Sequence, residues 1–243
     1  MSRAITIVIP AFNEAQRLPR TLETISDYAA SGRASIAEVI VVDDGSRDAT
    51  AEHARRASLS VPSRCISYGA NAGKGYAIRR GVLEASGDLL LVSDADLSTP
   101  IEEVEKLLAA LEGAEVAIGS RAVDRSLVRV SQPWHRDRMG RAFNWMLRRI
   151  TGIPFRDTQC GFKLFPMPEA REMFALAIID GFAWDVEIIL LADRRDLRVA
   201  EVPVLWFNSP QSRVSIVGDP LKMLRDVVHA RLRLGRFRNA RPQ

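Results

Sequence analysis

The sequence predicts an α/β fold: a mostly parallel, Rossmann-like sheet flanked by helices, within a single domain. Three observations predict it. Apolar runs of strand length alternate with helical stretches through the first half of the chain. Those runs are continuous in Val, Ile and Leu rather than alternating, as expected of strands whose two faces are both covered. Three of the runs end in polar or acidic turns, which lines those turns up along one edge of the sheet.

The elements follow in order. Ile5–Ile9 comes too early, and is too short and too β-branched, to be the apolar core of a signal peptide, so it reads as the first strand. Further strands are expected at Glu38–Val42, Arg64–Ser67, Leu89–Val92 and Val116–Ile118, with helices near 14–29, 48–57, 74–85 and 101–111. The connections are short and leave no place for a domain boundary. In the second half a helix near 134–150 stops before Gly152-Ile153-Pro154. A short strand at Gly161–Phe165 precedes Pro166 and Pro168, which open another helix. A helix near 184–195, a strand at Val199–Val204 and a last helix from Leu221, opened by Asp219-Pro220, complete the chain. No internal repeat or low-complexity segment interrupts it.

With 243 residues, 47% of them hydrophobic, the chain has ample material for one large core. No run of eighteen apolar residues is present, so no spanning helix is expected. The two cysteines, Cys65 and Cys160, have no partner spacing for zinc or a redox pair, and cytoplasm is the expected compartment. The net charge of +4 conceals an asymmetry. Stretches 121–149 and 213–243 hold sixteen cations against four carboxylates, a local +12 that leaves −8 on the remainder. A basic surface on an acidic body points to an anionic partner: phosphates, nucleic acid or a membrane face.

The sharpest chemical signal is Asp94-Ala95-Asp96, directly after the apolar run that ends at Val92-Ser93. Two carboxylates at a strand's carboxyl end suit Mg²⁺ or Mn²⁺ completed by substrate phosphates. The same residues also suit a solvated turn, with Ser98-Thr99-Pro100 opening the next helix. Asp43-Asp44-Gly45-Ser46 follows the second strand, and Pro10-Ala11-Phe12-Asn13-Glu14 follows the first. Three such turns on one edge strengthen the reading as a site. Gly69-Ala70-Asn71-Ala72-Gly73-Lys74-Gly75 opens a helix and offers backbone donors and a lysine to phosphate. It is not a Walker loop, because no Ser or Thr follows the lysine.

Taken together and in order, these stretches resemble glycosyltransferase family 2 with the GT-A fold, and within it the dolichyl-phosphate β-glucosyltransferase-like, polyprenyl-phosphate branch. The resemblance continues through Gly119-Ser120-Arg121, Arg156-Asp157-Thr158-Gln159-Cys160-Gly161-Phe162-Lys163, Ala183-Trp184-Asp185-Val186-Glu187 and Asn208-Ser209-Pro210-Gln211-Ser212-Arg213-Val214. It implies a nucleotide-sugar half at 1–120, an acceptor half at 121–215 and a basic amphipathic C-terminal helix at 216–243. Pro10, Phe12, Glu14 and Asp43 are similar to the family's nucleotide pocket, and Lys74 to a donor-side residue. Asp94 and Asp96 resemble its metal and diphosphate motif, with Ala95 close to the donor ribose. Arg121 is similar to an arginine that holds the acceptor phosphate, and Arg213 to a late arginine that clamps phosphate.

The resemblance implies an inverting enzyme that moves a hexose, glucose from UDP-glucose, onto a polyprenyl or dolichyl phosphate. A lipid phosphate is already anionic at neutral pH and needs arginines to position it rather than a base. A sugar or metabolite hydroxyl as acceptor would need one, with Asp157 or Asp185 the candidates. GDP-mannose as donor stays open. The resemblance leads one to expect an N-terminal membrane helix like that of the eukaryotic group, which these 243 residues do not supply. Two stripes could substitute for it at the inner face of a membrane. One is Leu221, Leu224, Val228 and Leu232 among Lys222, Arg225, Arg231, Arg233, Arg236 and Arg238. The other is Trp134, Met139, Phe143 and Met146. Each stripe could equally face the core. A nucleic-acid partner is not expected: no helix-turn-helix or aromatic platform is present, and it would leave the acidic turns without a role.

Overall fold

The computed structural model describes residues 3–130, 134–208 and 218–238. Strands β1 (Ile5–Ala11), β2 (Ile36–Asp43), β3 (Ser63–Ser67), β4 (Leu89–Val92), β5 (Val116–Ser120), β7 (Lys163–Pro166) and β8 (Val199–Pro203) form one seven-stranded sheet in the order β3-β2-β1-β4-β7-β5-β8. The pairings are parallel except those of β7, which runs antiparallel to both β4 and β5. The chain order of apolar runs does not encode this reversal.

Strands β1, β2 and β4 are buried almost throughout, in keeping with their unbroken apolar runs. Their alternate residues feed two cores. Val8, Ile40, Val42, Leu90 and Val92 face one layer, while Ile7, Ile9, Val39, Val41 and Leu91 face the other. Burying each such side chain stabilises the fold by about 1.5–3 kcal/mol. The first layer holds α3 (Lys74–Glu84), α6 (Met167–Leu176), α7 (Trp184–Arg194) and the inner faces of α5 (Trp134–Thr151) and α8 (Gly218–Leu234). The second holds α1 (Leu18–Ala30) and α4 (Val104–Ala110). Helix α2 (Thr50–Arg56) packs on β2 and β3 at the edge.

Helix boundaries depart from the sequence reading in small, explicable ways. Helix α1 starts at Leu18 rather than near 14, because the Glu14 carbonyl closes a turn by accepting from Arg17 and Leu18 N–H; Pro19 then fits the first helical turn. Strands β6 (Val128–Val130) and β9 (Trp206–Phe207) form a small parallel pair that the sequence does not announce, since two or three residues carry no period.

Candidate active site

The carboxyl ends of β1, β2 and β4 meet at one edge, tied by a main-chain bond and by side-chain hydroxyls that bond to main-chain groups. The Ala11 carbonyl accepts from Asp44 N–H at 2.8 Å, and Asn13 N–H donates to Ser46 Oγ at 2.8 Å. Glu14 N–H donates to Thr50 Oγ1 at 2.7 Å, and Thr21 Oγ1 donates to the Ala95 carbonyl at 2.7 Å. Asn13 and Leu97 sit at φ +55° and +45°, left-handed values that are uncommon outside glycine and that mark tight turns at this edge. Pro10 and Ala95 are buried, and Phe12 is half-buried beside them.

Asp43 accepts from Ser46 N–H at 3.2 Å and from Ser67 Oγ at 2.8 Å, which fixes it below the first turn. Asp44 has a different task. It accepts from Tyr68 Oη (2.9 Å), Asn71 Nδ2 (2.8 Å), Ala72 N–H (2.7 Å) and Gly73 N–H (3.0 Å), so one carboxylate ties down the glycine-rich loop. Gly73 at φ +110° lets the loop close against the Asp180 carbonyl; a Cβ there would lie 2.3 Å from that oxygen. The loop ends by launching α3 at Lys74.

Lys74 Nζ donates to Asp94 Oδ1 at 2.5 Å. Burial works to lift the Asp94 pKa, but Lys74 outweighs it and holds the carboxyl below its ordinary range. Asp96 accepts from Ser98 N–H at 3.0 Å on one oxygen and from Arg17 Nη1 at 3.3 Å on the other. Arg17 also forks onto Glu14, with Nε donating at 2.7 Å and Nη2 at 2.5 Å. Gly161, two residues before the reversed strand β7, backs Asp94 so closely that a Cβ would lie 2.2 Å from Oδ2. Among the described residues no three His, Cys, Asp or Glu side chains converge as a metal cage. Asp94 and Asp96 therefore supply a partial set of hard oxygen donors, the kind that fits Mg²⁺ or Mn²⁺ completed by phosphates.

Beyond the end of β5 the chemistry changes sign. Arg121 grips Asp157 with Nε to Oδ2 at 2.6 Å, Nη2 to Oδ1 at 2.9 Å and its own N–H to Oδ2 at 3.0 Å. Burial lifts the Asp157 pKa, but the guanidinium overcomes it and brings the carboxyl down to about 2. Glu201 on β8 supports the pair from below by accepting from Asp157 N–H at 2.7 Å and Ser120 Oγ at 2.8 Å. The guanidinium lies 5.4 Å from the Trp206 ring centroid, within cation–π range. Arg121 opens onto a pocket of about 560 Å³ whose walls include Arg141, Arg148, Arg156, Trp145 and Trp206.

Behind both regions lie two buried ionisable groups. Lys163 is fully buried; Nζ donates to the Cys160 carbonyl and sits 5.2 Å from the Trp184 ring centroid. Burial pulls its pKa down, opposed chiefly by Asp185. Asp185, at the start of α7, accepts from Val186 N–H at 2.8 Å. Burial raises its carboxyl to about 6 against the pull of Lys163.

The site residues expected from the sequence thus fall into two groups: Pro10, Phe12, Glu14, Asp43, Lys74, Asp94, Ala95 and Asp96 at the strand ends, and Arg121 with Asp157 beyond β5. Arg213 lies outside the described residues. Arg17, Asp44, Lys163 and Glu201 had no assigned role in the sequence reading. Arg17 had a usable signal, three residues after Glu14; Glu201, distant in sequence from every partner, had none. Of the two stripes, Leu221, Val228 and Leu232 lie on the outer face of α8, whereas Met223, Val227 and Ala230 face the core. On α5 Trp134, Met139 and Trp145 are exposed, Phe143 and Met146 are half-buried and Leu147 is buried. Both cysteines are free thiols, and no helix among the described residues is long and apolar enough to cross a membrane.

Comparison with known proteins adds family relationships. The model of the family described as Glycosyl transferase family 2 matches residues 6–168. A dolichyl-phosphate beta-glucosyltransferase of Trichomonas vaginalis is 35% identical over 92% of this chain and 69% of its own. Its human counterpart by name is 32% identical over 96% of this chain and 76% of its own. Among solved structures, glucosyl-3-phosphoglycerate synthase of Mycobacterium tuberculosis in complex with UDP superposes with a TM-score of 0.69. That match is at 21% identity and covers 98% of this chain and 82% of the other. The same enzyme with Mn²⁺, UDP and glucosyl-3-phosphoglycerate gives 0.68 at 22% identity. These structural matches support the GT-A fold.

Proposed function

The chain belongs to glycosyltransferase family 2 and is a glycosyltransferase, and on that premise we propose that it moves glucose from UDP-glucose, with inversion, to a polyprenyl phosphate. The observation that carries the acceptor assignment is Arg121. It is a guanidinium fixed by Asp157 in the wall of an arginine- and tryptophan-lined pocket, near enough to Asp94 for its charge to help hold that carboxyl down. Arginines suit the phosphate and tryptophans the isoprenoid that follows it. The relatives' names agree with this acceptor.

On the donor side Pro10, Phe12, Glu14 and Asp43 receive base and ribose, with Ala95 beside the ribose and Lys74 near the phosphates. Asp94 and Asp96 would hold Mg²⁺ or Mn²⁺, whose chemistry there is to neutralise charge on the departing diphosphate. Arg121 positions the acceptor phosphate oxygen, which needs no proton removed. Asp157, held at about 2, keeps Arg121 in place rather than taking a proton. Arg213, which follows β9 in the sequence, adds a phosphate clamp. The outer faces of α5 and α8, with Trp134, Trp145, Leu221 and Leu232 exposed among arginines, rest on an anionic bilayer and bring the pocket to its lipid.

One observation favours a second reading. Asp185, raised to about 6, has the basicity to accept a proton from a sugar or metabolite hydroxyl. Transfer from labelled UDP-glucose to a polyprenyl phosphate with Mn²⁺ separates the two. Lipid-linked glucose formed by wild type and by Asp185→Asn, but abolished in Arg121→Ala and Asp96→Ala, is expected. Glucose transferred only to a water-soluble hydroxyl acceptor, with loss in Asp185→Asn, would replace the first reading by the second.

A further inference from the structure

Asp94 and Asp96 are each already engaged by a cation of the chain itself. Lys74 Nζ lies 2.5 Å from Asp94 Oδ1, and Arg17 Nη1 lies 3.3 Å from Asp96 Oδ2. The two cations come from different elements, the start of α3 and the turn before α1, and they converge on the one turn that carries both carboxylates. Their mounting differs. Arg17 is anchored by Nε and Nη2 on the two oxygens of Glu14, at 2.7 and 2.5 Å, and Nη1 donates to Asp96. Lys74 is a single ammonium on a flexible stem at the end of a loop that Asp44 holds rigid.

We propose that Arg17 and Lys74 are resident counter-ions of the two aspartates, which they cede to a divalent ion only when the donor's diphosphate offers them new anionic partners. Positive charges at these oxygens oppose a second cation arriving alone. Phosphate oxygens reverse the balance, because both side chains can turn to them while the carboxylates turn to the ion. The chain thereby links the two ligands: donor raises affinity for metal, and metal raises affinity for donor by the same factor. Arg17 is a positioning residue in this scheme. Its fork to Glu14 also ties that linkage to the nucleotide turn. The inference rests on the reading that Asp94 and Asp96 hold the ion.

The test is Mn²⁺ binding followed by electron paramagnetic resonance, with and without UDP, in wild type, Arg17→Gln, Lys74→Gln and Asp96→Asn. Wild type should bind Mn²⁺ weakly alone and more tightly with UDP. Arg17→Gln and Lys74→Gln should each bind Mn²⁺ alone roughly five- to tenfold more tightly, and the gain conferred by UDP should shrink correspondingly. Removal of a charge with no exchange of partners would raise Mn²⁺ affinity equally with and without UDP; that result, or no rise at all, overturns the proposal. Either variant alone suffices if the other fails to fold. Loss of UDP-dependent Mn²⁺ binding in Asp96→Asn beside unchanged Arg17→Gln and Lys74→Gln would sink the counter-ion scheme alone. Wild-type binding in Asp96→Asn would remove the metal site itself.

Discussion

Asp44 and Asp157 are carboxylates at the same edge of one sheet, 4% and 3% exposed, yet they are satisfied by opposite means. Asp44 is surrounded by neutral donors, two backbone N–H groups, an amide and a phenol, all from a single loop. Asp157 holds a guanidinium that comes from just past the end of β5, 36 residues away in the chain. Neutral donors quench a charge locally and leave a rigid pedestal. An ion pair leaves a fixed cation facing outward. The donor half of the edge uses the first device to hold a loop still, and the acceptor half uses the second to present Arg121 to its pocket.

The comparison breaks most visibly at the ion pair. Arg121→Ala strands Asp157 at a buried position and should cost about 3–5 kcal/mol, read from urea denaturation. Asp157→Asn should cost less, because Arg121 is partly exposed and can reach water. Equal costs would mean that the pair is not what stabilises this corner.

A smaller effect of opposite sign belongs to Asp185. Its folded pKa of about 6 stands above the ordinary 3.8. The stability it contributes is therefore full below about pH 4 and lost as pH rises through 6. Asp157 acts the other way, contributing above 3.8 and failing as pH falls toward 2. Asp185→Asn should flatten the pH 4–6 slope of stability. An unchanged slope in urea melts at several pH values would contradict the assignment. The smallest effect lies outside the edge altogether. Trp145→Ser with Leu232→Ser should leave stability within about 0.5 kcal/mol. The same variant should sharply reduce sedimentation with anionic vesicles, and binding undiminished by it would remove these faces from the membrane reading.

The same comparison explains what could be read in advance. The donor half was legible because its partners are local: strand, turn and helix follow one another, and Asp43, Asp94 and Asp96 stand at the ends of recognisable apolar runs. Even there the distinction between Asp43 and Asp44 was hidden, since only the path of the 68–73 loop shows which carboxylate it rests on. The acceptor half was legible in its charge and, through the family resemblance, at Arg121, Asp157 and Asp185, but not in its pairings. Glu201 meets Asp157 across 44 residues, and Lys163 meets Asp185 where its ammonium lies over the Trp184 ring at the start of α7. The direction of β7 was equally silent, because a four-residue apolar strand reads the same either way.

That reversed strand has a consequence for how such a molecule can diversify. Strand β5 leaves the sheet at the active edge after Ser120, and β7 re-enters it from that edge at Lys163; Ile118 and Lys163 are paired, and Gly119 N–H donates to the Phe162 carbonyl at 2.8 Å. Residues 121–162 thus form a cassette whose two ends are a hydrogen bond apart. Exchanging such a cassette means matching those two sockets together with Glu201 beneath Asp157, the β6–β9 pair and the close seat of Gly161 behind Asp94. The choice of acceptor could then be rewritten above the nucleotide floor, provided that a glycine is kept behind Asp94.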